Sequence, residues 1–287
     1  MKNKKKYKLK GHETFCIREG WLAKGIQAIR ENPKVFTEMF GADALGLGSN
    51  MAKAVRYWLK ALNLITEQSA TGAVFTELGE LIYEKDPYLE EMFTLWCLHI
   101  NLAANRENAT LWYLFFGISQ LEEFTREELE QTMEQELYRY AGVLEFSKRS
   151  LRDDCTVLLQ MYATEGKQES DPEDKKICPL TRLGLMRKTD NYYQRTEPDL
   201  SGMGSYLLCY LLLVCHSKVE AISMEEFYHG ELGVRKVLGI GISAYQEYLE
   251  GMAKRGWIDM NRTAGLDMIY VKQGLSEKTL LEQFWER

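Results

Sequence analysis

The sequence lacks any apolar run long enough to cross a membrane. The longest such run, residues 206–215, is about half of the roughly 20 residues that a transmembrane helix needs. The basic opening stretch, residues 2–10, has neither an apolar core nor a small-residue cleavage site, so we expect no secretory signal there. We therefore expect a cytoplasmic protein without a membrane partner.

Paired cysteines and the common catalytic motifs are also missing. The six cysteines include no C-x-x-C pair, and without an export signal we expect them to be reduced thiols. The sequence contains no glycine-rich phosphate-binding loop, no H-E-x-x-H motif and no nucleophile elbow. The familiar nucleotide-binding, zinc-protease and serine-hydrolase signatures are thus excluded.

What the chain does have is a strong asymmetry of charge. Its 287 residues carry a formal net charge of −6 at pH 7. Residues 1–60 hold 13 Lys and Arg against 5 Asp and Glu, a charge of +8, so the remainder carries −14. A basic N-terminal module on an acidic chain is typical of a protein that docks nucleic acid at one end. The length fits two domains, each with its own core.

One pattern occurs twice in the chain. Segments 45–65 and 238–258 are both 21 residues long, open with Leu-Gly-x-Gly and close with Ile. Each continues as an amphipathic helix with apolar residues at helical spacing, and is followed by a turn and a second apolar stretch. Helix, turn, helix and β-hairpin make a winged-helix unit, whose second helix can enter a DNA major groove. The sequence therefore predicts two such units.

Local signals place the ends of both predicted helices. Ser49 and Ser243 are candidate N-caps, because a hydroxyl there can accept hydrogen bonds from the first turn. Asn63 and Gly256 suit the left-handed conformation that often ends a helix. The glycines of each Leu-Gly-x-Gly serve the turn between helices, since the motif is too short to indicate a nucleotide site.

The predicted fold class is mainly α with small β-hairpins. Residues 1–120 are predicted to form a winged helix-turn-helix N-terminal domain with a helical extension. Residues 121–287 are predicted to form a helical C-terminal domain that ends in the second, winged-helix-like unit.

The helix predicted in the first unit has a basic outer face. Lys53, Arg56, Tyr57 and Lys60 fall at i, i+3, i+4 and i+7, and no Asp or Glu lies between residues 49 and 61. We expect this face to bind double-stranded DNA, with the three cations on the backbone and Asn50 or Tyr57 at a base edge. The alternative is an ordinary solvated face on a unit that serves only for packing.

The second unit and the N-terminal segment both bear on this prediction. The helix of the second unit carries Glu247, Glu250 and Lys254 on its outer face, so it presents no comparable field to a phosphate backbone. Residues 2–10 are either a disordered solubilising tail or an arm on the DNA backbone. The basic helix that follows them favours the arm.

Candidate catalytic residues precede the first helix, in the stretch GHETFCIREGWLAKG. His12, Glu13, Arg18 and Lys24 could supply the base and the cations that phosphodiester cleavage needs. His12 or Glu13 would act at the phosphate, Arg18 would offset its charge, and Lys24 would contribute to DNA binding. The alternative is structural: His12 braces the start of the helix and Arg18 pairs with a carboxylate.

These motifs resemble a known family. The stretch GHETF with Arg18, GWL and KG, followed by LGLGSNM and AVRYWLKALNLI, is similar to the opening of the prokaryotic domain-of-unknown-function family 4007, the SspB type. The resemblance continues over nearly the whole chain through TLW, His99, Asn105, ATLWY, CPLTRLGL and RTAGLD. On this combination of motifs the chain is identified as a member of that family.

The resemblance implies a component of a DNA phosphorothioation system in phage defence, acting beside sulfur-transfer or other defence-operon proteins. A protein of this type would bind DNA and nick one strand, as an endonuclease with a divalent metal, Mg²⁺ or Mn²⁺. His12, Glu13 and Arg18 match the opening motif of the family, and Arg262 and Asp267 match its closing motif. The rival hypothesis is a non-catalytic winged-helix adaptor or transcriptional regulator that recruits DNA or a partner enzyme.

Overall fold

The computed structural model describes residues 5–37, 41–142, 145–165, 177–217, 219–263 and 266–287, with the backbone alone at positions 263 and 266. In these residues, 54% helix stands beside three small sheets, which confirms the prediction of a mainly helical fold with small β-elements. Residues 2–4 of the basic N-terminal segment and residues 264–265 of the RTAGLD motif lie outside the described residues.

The helices follow the three- and four-residue spacing of apolar side chains. In chain order they are α1 (Trp21–Glu31), α2 (Ala42–Leu45), α3 (Ser49–Ala61), α4 (Glu77–Lys85), α5 (Met92–Ala104), α6 (Thr110–Tyr113), α7 (Arg126–Ala141), α8 (Lys148–Tyr162), α9 (Gly204–His216), α10 (Met224–His229), α11 (Val234–Val237), α12 (Ile242–Lys254) and α13 (Glu277–Trp285). A π-helical turn, Leu114–Ile118, continues α6, and a 3-10 helix covers Pro179–Leu183. Helices α5 and α9 are buried on nearly all sides. No helix in the described part of the chain is both long and apolar enough to cross a membrane.

Short strands make three separate sheets. The strands are β1 (Ile65–Gln68), β2 (Gly72–Phe75), β3 (Glu123–Thr125), β4 (Ala163–Glu165), β5 (Met186–Thr189), β6 (Tyr192–Arg195), β7 (Ala221–Ser223), β8 (Ile258–Thr263) and β9 (Leu266–Val271). The first sheet is the antiparallel hairpin β1-β2, and the third is antiparallel with the order β7-β9-β8. The second has the order β3-β6-β5-β4, in which β4 alone runs parallel to its neighbour.

The two repeated segments fold into the same order of elements. The first gives α2, α3 and the hairpin β1-β2, and the second gives α11, α12 and the hairpin β8-β9. In each turn between the helices, the first glycine is left-handed, with φ of 62° at Gly46 and 71° at Gly239. The second glycine, Gly48 or Gly241, is extended and is the N-cap of the longer helix. The glycines thus serve the turn, as the sequence predicts.

For both helices, the prediction of the left-handed residue at the C-terminal end is right and the prediction of the N-cap is wrong. Asn63 and Gly256 are left-handed, with φ of 59° and 72°, and each follows the C-cap residue of its helix. Ser49 and Ser243 are not N-caps, because the glycine before each helix takes that position without a side-chain hydrogen bond. Both serines lie in the first helical turn instead.

The hairpins of the two units have different neighbours. In the second unit, β7 pairs with β9 and extends the hairpin to three strands. In the first unit, the loop after α1 lies against β2, where the Ala73 N–H donates to Pro33 O at 2.8 Å. A Cβ at Gly72 would lie 2.3 Å from the same oxygen, so this approach requires glycine.

One core is shared by the two halves of the chain. Helix α9 packs against α5, and α13 packs against α4. Two buried polar contacts also join the halves: the Asn101 Nδ2 donates to the Tyr210 hydroxyl at 2.7 Å, and His99 Nε2 lies 2.9 Å from Val237 O. The division into domains at residue 120 stays a prediction.

Candidate nucleic-acid interface

The GHETF loop packs directly against α3. The His12 ring stacks on the Trp58 ring, with 5.5 Å between centroids and an angle of 7°. Trp58 Nε1 donates to Phe15 O at 3.0 Å. A Cβ at Gly11 would lie 2.3 Å from a ring carbon of Tyr57, so only glycine allows this approach. The family's opening motif and its basic helix therefore form one packed unit.

His12 is completely buried in this unit, and both of its ring nitrogens have partners. The Thr14 N–H donates to Nδ1 at 3.1 Å, and Nε2 lies 2.9 Å from Asp154 Oδ1. Because Nδ1 accepts a hydrogen bond, the proton of the neutral ring belongs on Nε2, which donates to Asp154. Burial raises the pKa of Asp154, while the contact with His12 acts in the opposite direction. Neither nitrogen is open to a phosphate, so this arrangement supports the bracing interpretation of His12.

The other candidate catalytic residues have different surroundings. Glu13 is partly exposed and left-handed, with φ of 50°. The Arg18 guanidinium lies over the Trp21 and Phe15 rings, at 5.1 and 5.7 Å from their centroids. Within the described residues its contacts are these rings, rather than the carboxylate that the structural alternative predicts. Lys24 is exposed on α1.

The outer face of α3 holds two cations around one carboxylate. Arg56 Nε lies 2.5 Å and Lys60 Nζ 2.7 Å from the two oxygens of Glu67, which is on strand β1. The side chains of Arg56 and Lys60 are 37% and 39% exposed, so solvent and ligands can reach both. Burial alone would raise the pKa of Glu67, but the hydrogen bonds and charges of the two cations lower it.

Lys8 adds a third cation to this face. Its N–H donates to Thr110 Oγ1 at 2.9 Å, and its Nζ lies 5.2 Å from the centroid of the Tyr57 ring. Burial, together with the positive charges of Lys60 and Arg56, lowers the pKa of Lys8. We call Lys8, Arg56, Lys60 and Glu67 the basic face; its formal charge is +2. The sequence indicates a basic arm, but the packing of the GHETF loop is what places Lys8 here.

Tyr57 does not lie on the exposed stripe where the sequence predicts it. Its side chain is 7% exposed, and its hydroxyl donates to Asn108 O at 2.7 Å. The prediction is wrong because the GHETF loop covers this side of α3, with Gly11 against the ring. Asn50, at the start of α3, is exposed, and Lys53 Nζ lies 3.4 Å from its Oδ1.

The two residues of the closing motif lie away from the basic face, in another part of the structure. Arg262 and Asp267 are opposite each other in the register of β8 and β9. Both line a cleft of about 470 Å³ between the hairpin, α10 and α12. They are therefore part of the second unit and not of the basic face.

The structure identifies no dedicated metal site. Among the described residues, no group of three or more His, Cys, Asp or Glu side chains is placed to hold a metal ion. The expected Mg²⁺ or Mn²⁺ is thus without assigned ligands in the described part of the chain. All six cysteines are free thiols.

Comparisons relate the chain to known proteins. The profile of the family described as "Protein of unknown function (DUF4007)" matches residues 9–285. A magnesium ion-bound crystal structure of SspB is similar with a TM-score of 0.81 at 24% sequence identity, over 97% of this chain and 86% of that chain. A second SspB crystal structure has the same TM-score and coverage at 23% identity. Likeness at this level shows a shared fold. No curated protein matches the chain.

Proposed function

Because the chain belongs to the DUF4007 family, as its opening motif predicts, we propose that it binds double-stranded DNA within a phage-defence system of the phosphorothioation type. The similarity to the SspB fold supports a role in phosphorothioation-type defence, since that is the role that the family resemblance implies. The basic face supports double-stranded DNA as the ligand. Sulfur-transfer or other defence-operon proteins are the partners that such a component needs.

The observation that carries the proposal is the excess of cations on the basic face. Arg56 and Lys60 both contact the carboxylate of Glu67, and Lys8 on the same face experiences the positive charges of both, so the three cations repel one another. A phosphate group would relieve that repulsion, and duplex DNA offers phosphates in a regular row. The strongly acidic remainder of the chain limits non-specific binding.

The order of elements around this face suits a winged-helix mode of binding. In such units the N-terminal part of the second helix reaches base edges in the major groove, while neighbouring elements contact the backbone. Asn50 is exposed at the start of α3, so we assign it the base edge. Lys53 and the cations of the basic face would hold the phosphates, with the hairpin β1-β2 beside them.

The geometry supports an adaptor better than a nuclease. An adaptor that carries DNA to partner enzymes needs only the basic face. Nicking with Mg²⁺ draws support from the magnesium ion bound to SspB, but it needs a base and ligands. His12 is enclosed, so it is not placed to act as that base. Glu13 is therefore the candidate that a cleavage test should address.

DNA binding is tested by fluorescence anisotropy with a labelled duplex over a range of salt concentrations. The double variant Arg56→Gln/Lys60→Gln should weaken binding and lower the slope of log K against log salt by about 0.9 per lost phosphate contact. Arg126→Gln/Arg152→Gln is the matched control, because those two arginines share Glu130 in the same manner on α7 and α8. Equal weakening in both double variants would contradict the assignment to the basic face.

Cleavage is tested on supercoiled plasmid with Mg²⁺ or Mn²⁺. The adaptor predicts binding without nicking in wild type and in Glu13→Ala alike. Metal-dependent nicking by wild type that disappears in Glu13→Ala, with DNA affinity unchanged, would establish the nuclease instead.

A further inference from the structure

A cleft opens beside α12, the longer helix of the second unit. The cleft has a volume of about 470 Å³ and lies between α10, α12 and the hairpin β8-β9. Clefts of this size hold several side chains of a ligand. Nothing in the DNA-binding proposal uses it, although it contains both residues of the closing motif.

Apolar and aromatic side chains make up part of the cleft lining. Ile242, the first residue of α12, lines the cleft and is 52% exposed. Met224, Tyr228 and Tyr245 line it as well, beside the polar His229 and Gln246. The Tyr245 hydroxyl donates to Met224 O at 2.8 Å, which ties α12 to α10 and fixes the shape of the cleft.

The charged residues that line the cleft are mostly acidic. Glu225 on α10, Glu250 on α12 and Asp267 on β9 contribute three carboxylates, against the single guanidinium of Arg262 on β8. Within the described residues, none of the three carboxylates has an ion-pair partner. The cleft thus combines an exposed apolar side chain, Ile242, with a formal charge of −2 from its charged lining residues.

This combination is suited to a protein ligand and not to nucleic acid. Phosphates would be repelled by the carboxylates, whereas lysine and arginine side chains would be attracted. We propose that the cleft binds a lysine- or arginine-containing segment of a partner protein, which sets an apolar side chain on Ile242. The cations of the segment meet Glu225, Glu250 and Asp267. In this proposal the first unit binds DNA and the second unit binds a basic protein segment.

The test uses full-length protein on an array of short peptides of random sequence, followed by anisotropy with the most strongly bound peptide. Wild type should select peptides that contain Lys or Arg together with a large apolar residue. Glu250→Lys should weaken binding by about tenfold or more, since it places like charges together. Glu247→Lys is the matched control, because it makes the same change on the same helix outside the cleft.

A second variant tests the apolar contact at Ile242. Ile242→Ser should weaken binding of the same peptide without changing the charge of the cleft. Circular dichroism of each variant checks that the fold is kept. Selection of no peptide, selection of acidic peptides, or equal weakening by Glu247→Lys and Glu250→Lys would each overturn the proposal.

Discussion

Lys60 Nζ lies 2.7 Å from Glu67 Oε2, so an ion pair ties strand β1 to the exposed face of α3. The same carboxylate also accepts from Arg56. Glu67 therefore occupies the two cations that a phosphate would use, and any anion that binds there must compete with it.

Glu67→Gln should strengthen DNA binding. The change removes the competing negative charge and frees Arg56 and Lys60, so we expect affinity to rise several-fold at low salt and the salt dependence to become steeper. Stability should fall by at most about 1 kcal/mol, because both cations are more than a third exposed. Anisotropy titrations measure the effect. Glu130→Gln, which frees Arg126 and Arg152 elsewhere, should leave affinity unchanged, and an equal rise there would contradict the prediction.

Lys8→Gln should weaken DNA binding by several-fold, because Lys8 completes the basic face. Lys10→Gln is a suitable comparison, since Lys10 Nζ is 2.8 Å from Asp153 and so is already neutralised. Its effect should be clearly smaller. If the two variants bind equally well, the N-terminal segment contributes only general charge.

Tyr57→Phe should leave DNA affinity unchanged and lower the free energy of unfolding by about 1 kcal/mol, because it deletes one hydrogen bond to Asn108 O. Asn50→Ala should do the opposite, weakening DNA binding with little change of stability, since Asn50 is exposed. Urea unfolding and duplex titration on the same samples separate the two effects. A loss of DNA affinity in Tyr57→Phe would support the direct DNA contact that the sequence predicts for Tyr57.

His12→Ala should destabilise the fold by about 2–4 kcal/mol, because it removes the side-chain partner of the buried Asp154 carboxylate and leaves it with the Lys10 N–H alone. Glu13→Ala, one residue away and partly exposed, should cost less than about 1 kcal/mol. Urea unfolding measures both. Unchanged stability in His12→Ala, combined with lost nicking, would support catalysis by His12 rather than bracing.

Stability should fall in acid partly through His99. Burial lowers its pKa from 6.5 to about 3, although the bond to Val237 O acts in the opposite direction. The unfolded chain binds the proton more readily, so the free energy of unfolding is unaffected above pH 6.5 and falls as the pH decreases towards 3, by up to about 1.4 kcal/mol per pH unit. His99→Gln should have a shallower decline over that range in urea unfolding at stepped pH. His216, whose pKa is also lowered by burial, supplies part of the remaining slope.

Local patterns were sufficient to predict the mainly helical fold with small hairpins and the family of the chain. Apolar spacing locates α3 and α12, the Leu-Gly-x-Gly glycines adopt the expected turns, and Asn63 and Gly256 end the helices as predicted. Each of these features depends on residues close together in the chain, so periodicity and turn preferences carry the information.

Features that depend on distant residues could not be read in this way. Asp154, the partner of His12, is 142 positions away, and nothing near either residue indicates the other. Strand β3 pairs with β6, where Phe124 lies opposite Tyr193, 69 positions away, and alternation alone does not reveal this pairing. The burial of Tyr57 has the same cause, because helical spacing places it beside Lys53 but does not show which loop covers it.

The turns at Gly46 and Gly239 share a left-handed first glycine, with φ of 62° and 71°. Because such turns depend on glycine and not on the outward side chains of α3 or α12, those side chains can differ between the two segments while the turn is kept. Exchanging the exposed residues of one helix for those of the other should therefore alter surface charge without changing the connection between the helices.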